Sequence, residues 1–502
     1  MNQMKMGTLL TYVTQFVQII ITILYTPIML RLLGQSEFGL YSLVISVTGV
    51  LSILDLGLGN TIVRYTAKYK VLKDKLTEYS LNGFYLILYT LIGLITLLLG
   101  LYIILNLNTI FSNSLSPEEI EKAKILIIIS VINLSLSFPL GIFGSIMMAY
   151  EQFIFIKIIS LVRIILNPCV MLPLLMNGYG SIAMVVVISS LNIISLLINI
   201  WYCFKKLKIK FHFNNWNSKL LKEISVFSFY TFLILIVDKI YWSTDQIILG
   251  INQGTKEVSI YSIGATFSTF FITFTSVISS LQLPRFTKLV TSGASDKIIS
   301  DQFIKLSRFQ FIIGCFIYGG FLYIGKDLII LWAGKGYNNS YYIALIIMTS
   351  LLFAVVQNSA IAVVQAKNLN HFRSIAQLII ALINIGLTIP LSIKYGGLGA
   401  AIATSVTYLI GNNIIMTIYY HKKAKLNMIE LWLQLIRFVP SFLILMILLI
   451  FINLIDFSGS YFSLIVKVIL YSGFYFTTIY IFNMNKYEKS FISSIWVKLK
   501  LN

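Results

Sequence analysis

The chain has 502 residues, 38 Lys and Arg against 18 Asp and Glu, and a net charge of +20; 58% of its residues are hydrophobic and only 11% charged. Its mean hydropathy is +0.88. Soluble domains carry about 25% charged residues and disordered chains are poor in apolar ones, so both classes are excluded. The positive residues flank long apolar runs, which points to membrane lipids as partners and away from nucleic acid. Cys169, Cys203 and Cys315 lie within apolar stretches, and His212, His371 and His421 are scattered. No disulfide framework, metal centre or other cofactor is expected from them.

A bilayer core takes about 20 apolar residues per helix. On that ruler the pattern predicts an all-α, polytopic membrane protein with fourteen spans, at 8–30, 39–62, 82–105, 123–149, 154–176, 180–204, 223–250, 258–282, 306–325, 341–365, 374–393, 397–420, 431–453 and 461–483. The first follows only Lys5 and lacks a small-residue cleavage site, so it reads as a retained span. With fourteen spans, the side holding both termini carries 26 Lys and Arg and the opposite side 7. This asymmetry places both termini in the cytoplasm. In the longest outside loop, 106–122, Ser116-Pro117-Glu118-Glu119 has the form of a capping box opening the fourth span. The rival reading of these acids, a metal site for a lipid-sugar glycosyltransferase, lacks a loop large enough for an active site.

The sequence repeats internally. Gly34-Gln35-Ser36-Glu37-Phe38-Gly39-Leu40-Tyr41-Ser42 recurs as Gly254-Thr255-Lys256-Glu257-Val258-Ser259-Ile260-Tyr261-Ser262, and Arg64-Tyr65-Thr66 as Arg285-Phe286-Thr287. Ala149, Phe155, Pro173, Gly180 and Ala183 return as Ala366, Phe372, Pro390, Gly397 and Ala400. The offset stays between 217 and 221, so spans 1–6 and 7–12 are parallel six-helix repeats. Two such bundles with a site near the midplane suit alternating access. The implied division is 1–215, 216–425 and an appendage of two spans with a basic tail, 426–502.

Polar residues within spans are functional candidates because hydrocarbon penalises them. In span one, Gln15, Gln18, Thr22 and Tyr25 share a face. In span five, Arg163 is followed one turn later by Asn167; it either holds a diphosphate by bidentate hydrogen bonds or pairs with Asp55 or Asp238. In span seven, Asp238, Trp242 and Asp245 stand at i, i+4 and i+7, so both carboxylates fall on one face, with Lys239 about 100° away. That arrangement reads either as a cavity wall for H⁺ or Na⁺ and an anionic lipid head, or as interhelical ion pairs. Hydroxyls of span eight, Thr275 or Ser276, would complete a Na⁺ site. Gln18 and Tyr25 are the repeat mates of Asp238 and Asp245. Arg64 and Arg285 suit either the head group or positive-inside anchoring, while Arg308 and Arg437 lie close enough to the cytoplasmic face to snorkel. Lys467 faces either a lipid groove or the surface. Gly320-x₄-Gly325-Lys326 approaches a phosphate loop, but Asp327 replaces the required Ser or Thr.

Leu32-Leu33-Gly34-x-x-Glu37-Phe38-Gly39-Leu40-Tyr41, followed by Asp55-Leu56-Gly57-Leu58-Gly59-Asn60-x-x-x-Arg64-Tyr65, resembles the polysaccharide transporter (Wzx-type flippase) branch of the multidrug/oligosaccharidyl-lipid/polysaccharide exporter superfamily. The resemblance covers essentially the whole chain. It implies a non-enzymatic flippase that moves undecaprenyl-diphosphate-linked repeat units for O-antigen, capsule or exopolysaccharide across the bacterial cytoplasmic membrane. It further implies ion-gradient coupling, for which Asp238 and Asp245 of span seven and Asp55 are the candidate carboxylates, and partners in a polysaccharide polymerase and chain-length machinery. The alternatives are a cation-coupled small-molecule antiporter of the same superfamily, or a membrane polysaccharide polymerase or glycosyltransferase.

Overall fold

The computed structural model describes residues 3–214, 218–276, 282–367, 369–453, 461–490 and 493. Regular structure among them is entirely helical: α1 (Gln3–Leu33), α2 (Gln35–Leu51), α3 (Leu58–Val71), α4 (Lys75–Leu105), the short α5 (Leu107–Phe111), α6 (Pro117–Ala149), α7 (Phe153–Met176), α8 (Gly180–Tyr202), α9 (Ser218–Lys239) and α10 (Asp245–Gln253). There follow α11 (Thr255–Ser276), α12 (Leu283–Thr291), α13 (Asp296–Trp332), α14 (Asn338–Val356), α15 (Asn358–Ala366), α16 (Asn370–Tyr408), α17 (Met416–Lys422), α18 (Met428–Ile436), α19 (Phe438–Asn453) and α20 (Tyr461–Phe482).

Thirteen stretches of helix among the described residues are long and apolar enough to cross a membrane. One of them, His371–Lys422, has 52 residues, about 78 Å at 1.5 Å per residue, against a hydrocarbon core of about 30 Å. Gly396 breaks it, with φ 58° and ψ −138°. It is therefore two crossings, and the expected fourteen are present. The second crossing is broken too: α2 tightens into a 3₁₀ turn at Ser52–Asp55, Leu56 and Gly57 turn left-handed at φ 52° and 70°, and α3 continues. A side chain at Gly57 would collide with Thr231 on α9. In the second repeat the corresponding stretch, 277–281, lies outside the described residues.

Contacts gather into two compact units, Met1–Ser262 with Ala381–Ala400, and Ile263–Ile380 with Ala401–Asn502. These packing units do not coincide with the repeat-based division at 215 and 425. The reason is close packing of α2 on the C-terminal half of span seven. A Cβ at Gly39 would overlap the Thr255 carbonyl, Gly250 lies against Leu43, and Ser46 donates to the Gln246 side chain at 2.6 Å.

Within the first unit, the repeat has a physical counterpart. Glu37 accepts hydrogen bonds from Ser181 N and Oγ at 2.8 and 2.9 Å, and its repeat mate Glu257 accepts from Gly397 N at 3.0 Å. Each acid caps the sixth helix of its own repeat, where backbone N–H groups lack helical partners. The capping box at Ser116 and Glu119 forms as expected. Glu119 also accepts from Ser36 and Thr255, both at 2.7 Å, so it ties three segments together on that face. This use of the carboxylate is structural.

In the second unit, α20 is pinned to α13 along its length. Tyr471 donates to the Phe316 carbonyl at 2.7 Å and Tyr475 to the Ile312 carbonyl at 2.6 Å. Lys467 Nζ meets the Asp327 carboxylate at 2.8 Å. The segment Gly320–Asp327 is continuous helix, not a phosphate-binding loop. Arg308 does not snorkel: it is 5% exposed and donates Nε and Nη2 to the two oxygens of Glu488 at 2.7 and 2.9 Å. Expectation failed there because Glu488 lies 180 residues away, beyond the last span.

Candidate functional site

A cavity of about 550 Å³ lies inside the first unit, within the size range of small-ligand sites. α1 contributes Gln18, Thr22 and Tyr25, and α2 contributes Tyr41. Asn133 and Ser137 enter from α6, Arg163 and Asn167 from α7, and Asn192 from α8. No Asp or Glu lines it. α7 is suited to this position by Pro168, which has no N–H to offer the Ile164 carbonyl one turn back; both residues border the cavity.

The polar groups are organised around Asn192. Its side-chain oxygen accepts from Arg163 Nη1 at 3.0 Å, and its amide nitrogen donates to Asn133 Oδ1 at 3.0 Å and Ser137 Oγ at 2.8 Å. These contacts fix the amide orientation and steer the guanidinium. Asn192 occupies one of the five N–H donors of Arg163. No carboxylate stands within ion-pair distance of Arg163 among the described residues, so of the two alternatives the pairing with Asp55 or Asp238 is not made here. The Tyr25 hydroxyl and the Asn167 side-chain oxygen are buried without a hydrogen-bond partner. A single cation in a ring of amides and hydroxyls is chemically suited to an anionic group carrying sugar hydroxyls.

Of the sequence candidates, Gln18, Tyr25 and Arg163 come together here. Asn133, Ser137 and Asn192 were missed, although each showed the same signal, a polar side chain inside an apolar run. Lys239 and Trp242 are half-buried on span seven and do not line the cavity. Arg64 is exposed, its guanidinium 5.7 Å from the Tyr65 ring centre, and Arg285 is exposed near the start of α12.

The two carboxylates of span seven do not share a face. Residues Ile240–Thr244 form a π-turn, which adds about one residue to the turn and rotates the rest of the helix by roughly a quarter-turn. Asp238 is exposed, whereas Asp245 is 1% exposed and accepts from Tyr261 at 2.6 Å and Thr388 at 3.1 Å. The span-eight hydroxyl that reaches Asp245 is thus Tyr261. Thr275 instead bonds the Phe271 carbonyl of its own helix at 2.7 Å. Asp55 accepts from the Tyr89 hydroxyl at 2.8 Å and from the N–H groups of Gly57 and Gly59, which anchors the break between α2 and α3.

Thirteen apolar stretches among the described residues, one of them broken into two crossings, an internal repeat and a polar cavity between the helices define a multi-pass, all-α membrane protein with a transporter fold. That fold is shared with the lipid II flippase MurJ in an inward closed conformation, at a TM-score of 0.74 and 18% identity, over 95% of this chain and 98% of that one. An inward-facing multidrug resistance MATE family transporter of the MOP superfamily gives 0.65 and 12% over 81% and 99%. A MOP superfamily transporter from Pyrococcus furiosus gives 0.54 and 13% over 84% and 95%. The chain belongs to the polysaccharide biosynthesis protein family, whose model matches residues 4–290. It is 29% identical over 236 residues to the capsular polysaccharide biosynthesis protein CapF of Staphylococcus aureus, a stretch covering 45% of this chain and 56% of that relative. The match thus spans little more than half of the relative's length.

Proposed function

We propose that this protein is a flippase for lipid-linked oligosaccharides, carrying a polyprenyl-diphosphate-linked repeat unit across the cytoplasmic membrane by alternating access. The observation that carries the reading is Arg163, a cation without a carboxylate partner in a 550 Å³ membrane cavity of amides and hydroxyls. Its guanidinium suits a diphosphate, for which Arg supplies paired donors. Gln18, Tyr25, Asn133, Asn167 and Asn192 suit sugar hydroxyls. The family and the shared flippase fold support the same reading. Both termini are assigned to the cytoplasm, and the flipped unit would pass to a polymerase and chain-length machinery outside.

Coupling to an ion gradient is part of the proposal. Asp245 with the Tyr261 and Thr388 hydroxyls offers oxygen ligands from three helices, suited to H⁺ or Na⁺. Asp55 is the second coupling carboxylate.

The test is translocation of a fluorescent polyprenyl-diphosphate oligosaccharide in reconstituted vesicles. Arg163→Gln should lower the rate at least tenfold, while Arg163→Lys keeps a measurable fraction because charge persists. Lys239→Gln, outside the cavity lining, should change little. Wild-type transport by Arg163→Gln would overturn the assignment.

A further inference from the structure

Helix α4 carries a polar feature that the cavity does not use. Glu78, Asn82, Tyr85 and Tyr89 stand at i, i+4, i+7 and i+11, one face of an α-helix. Their exposures are 2%, 0%, 0% and 3%. At one end, Glu78 accepts a hydrogen bond from Tyr150, whose ring lies 4.3 Å from the Lys70 ammonium. At the other, Tyr89 donates to Asp55. The ladder is about 16 Å long at 1.5 Å per residue. It runs from the side of the short turn at 72–74, between α3 and α4, to the Asp55 carboxylate.

Its middle rungs are unsatisfied. Both amide atoms of Asn82 and the hydroxyl of Tyr85 are buried with no hydrogen-bond partner, as is the hydroxyl of Thr66 on neighbouring α3. An amide with neither its donor nor its acceptor met is a heavy cost in an apolar interior, and such groups are commonly met by internal water. The neighbouring side chains include two cations, Arg64 and Lys68, 5.7 and 5.8 Å from the Tyr65 ring centre, besides hydroxyls and a thiol. Tyr65 and Tyr69 lie near Tyr85, and Tyr65 donates to Glu223 at 3.0 Å. The Cys203 thiol points to the Phe143 carbonyl at 3.5 Å. Among the described residues, no carboxylate or cation bonds to Asn82 or Tyr85.

We propose that internal water bridges Glu78, Asn82 and Tyr85 to Tyr89, and that this file carries protons between the Lys70 side of the membrane and Asp55. In each passage the Glu78 carboxylate takes up a proton from bulk water on the Lys70 side and passes it to the first internal water. Asn82 orients the water by donating and accepting, without changing its own protonation. Tyr89 gives its hydroxyl proton to the Asp55 carboxylate as it takes one from the adjacent water, and the return passage reverses each transfer. The path deepens the coupling role proposed for Asp55 by naming the ion and its route, and it rests on that reading for its purpose.

The path itself can be tested without cargo. In proteoliposomes of the full chain, a carbodiimide that reacts with protonated, membrane-buried carboxyls is applied, and modification of Asp55 is followed by mass spectrometry after a pH jump. The rate should follow the pH on the Lys70 side. Asn82→Leu should slow that response at least tenfold, Asn82→Ser should restore most of it, and Tyr85→Phe should slow it severalfold. Thermal unfolding is measured in parallel. A more stable Asn82→Leu protein with an unchanged response would show a dry, merely unsatisfied amide and overturn the proposal. So would a wild-type response that ignores pH on the Lys70 side, which keeps the test open should Asn82→Leu fail to fold. Proton access in a wild-type protein that flips no cargo would support the path and count against the flippase reading alone.

Discussion

Arg163 and Arg308 are the same side chain in opposite surroundings. Arg308 is held on several sides: besides Glu488, its Nη2 donates to the Asn483 carbonyl at 3.0 Å, and its guanidinium carbon lies 5.1 Å from the Phe438 ring centre. Arg163 makes one hydrogen bond and faces a cavity. Removing one partner of a buried ion pair strands the other charge, so Glu488→Gln should cost about 3–5 kcal/mol of stability. Replacing both partners by apolar side chains, as in Arg308→Met with Glu488→Leu, should recover most of that loss. Urea or thermal unfolding in micelles reads both outcomes, and equal losses in the single and double variants would refute the stranded-charge account. At this scale, sequence reasoning found Arg163, Gln18 and Tyr25 because a polar residue in an apolar run is conspicuous. It could not foresee Glu488 as the partner of Arg308, since nothing local links residues so far apart along the chain.

The elements show both the reach and the limit of pattern. The Gly-x-x-Glu segments at Gly34 and Gly254 were legible as a repeat, and the structure supplies their shared work: Glu37 and Glu257 cap equivalent helices. Glu37→Ala and Glu257→Ala should each cost about 1–2 kcal/mol, the worth of a charge-assisted cap. Glu37, which also lies 3.5 Å from Lys122, should cost slightly more. Chemical unfolding of the two variants beside wild type checks this, and a neutral Glu257→Ala would sever the structural equivalence. The π-turn at Ile240–Thr244 was not legible. Asp238 and Asp245 keep helical spacing in sequence, and no residue there forbids ordinary α-helix. Packing selects the turn: Ser243 is 8% exposed and sits directly against Gly49 of α2. The same packing sends one carboxylate to the surface and the other into a ring of hydroxyls.

For the whole molecule, the charge asymmetry makes an orientation prediction. Single cysteines at Lys206 and Asn339 should react with an impermeant maleimide from opposite faces of the membrane, with Asn339→Cys labelled in intact cells and Lys206→Cys only after lysis. Labelling of both in intact cells would refute this topology, including the assignment of both termini to the cytoplasm.

Taken alone, the sequence determined the all-helical membrane class, the fourteen crossings, the repeat and most of the charged candidates. These follow from composition and period, because hydrocarbon demands long apolar helices and makes each retained polar residue stand out. The tertiary structure alone decided which of those candidates meet. It gathered Arg163 with three polar side chains from α6 and α8, parted Asp238 from Asp245, drew span seven into the first packing unit, and fastened α20 to α13 through tyrosines and the Lys467–Asp327 ion pair. Such choices depend on contacts between residues tens to hundreds of positions apart, and on small residues such as Gly39, Gly49 and Gly57 that let backbones approach. Apolar periodicity records which face of a helix is buried, but not the neighbour that covers it.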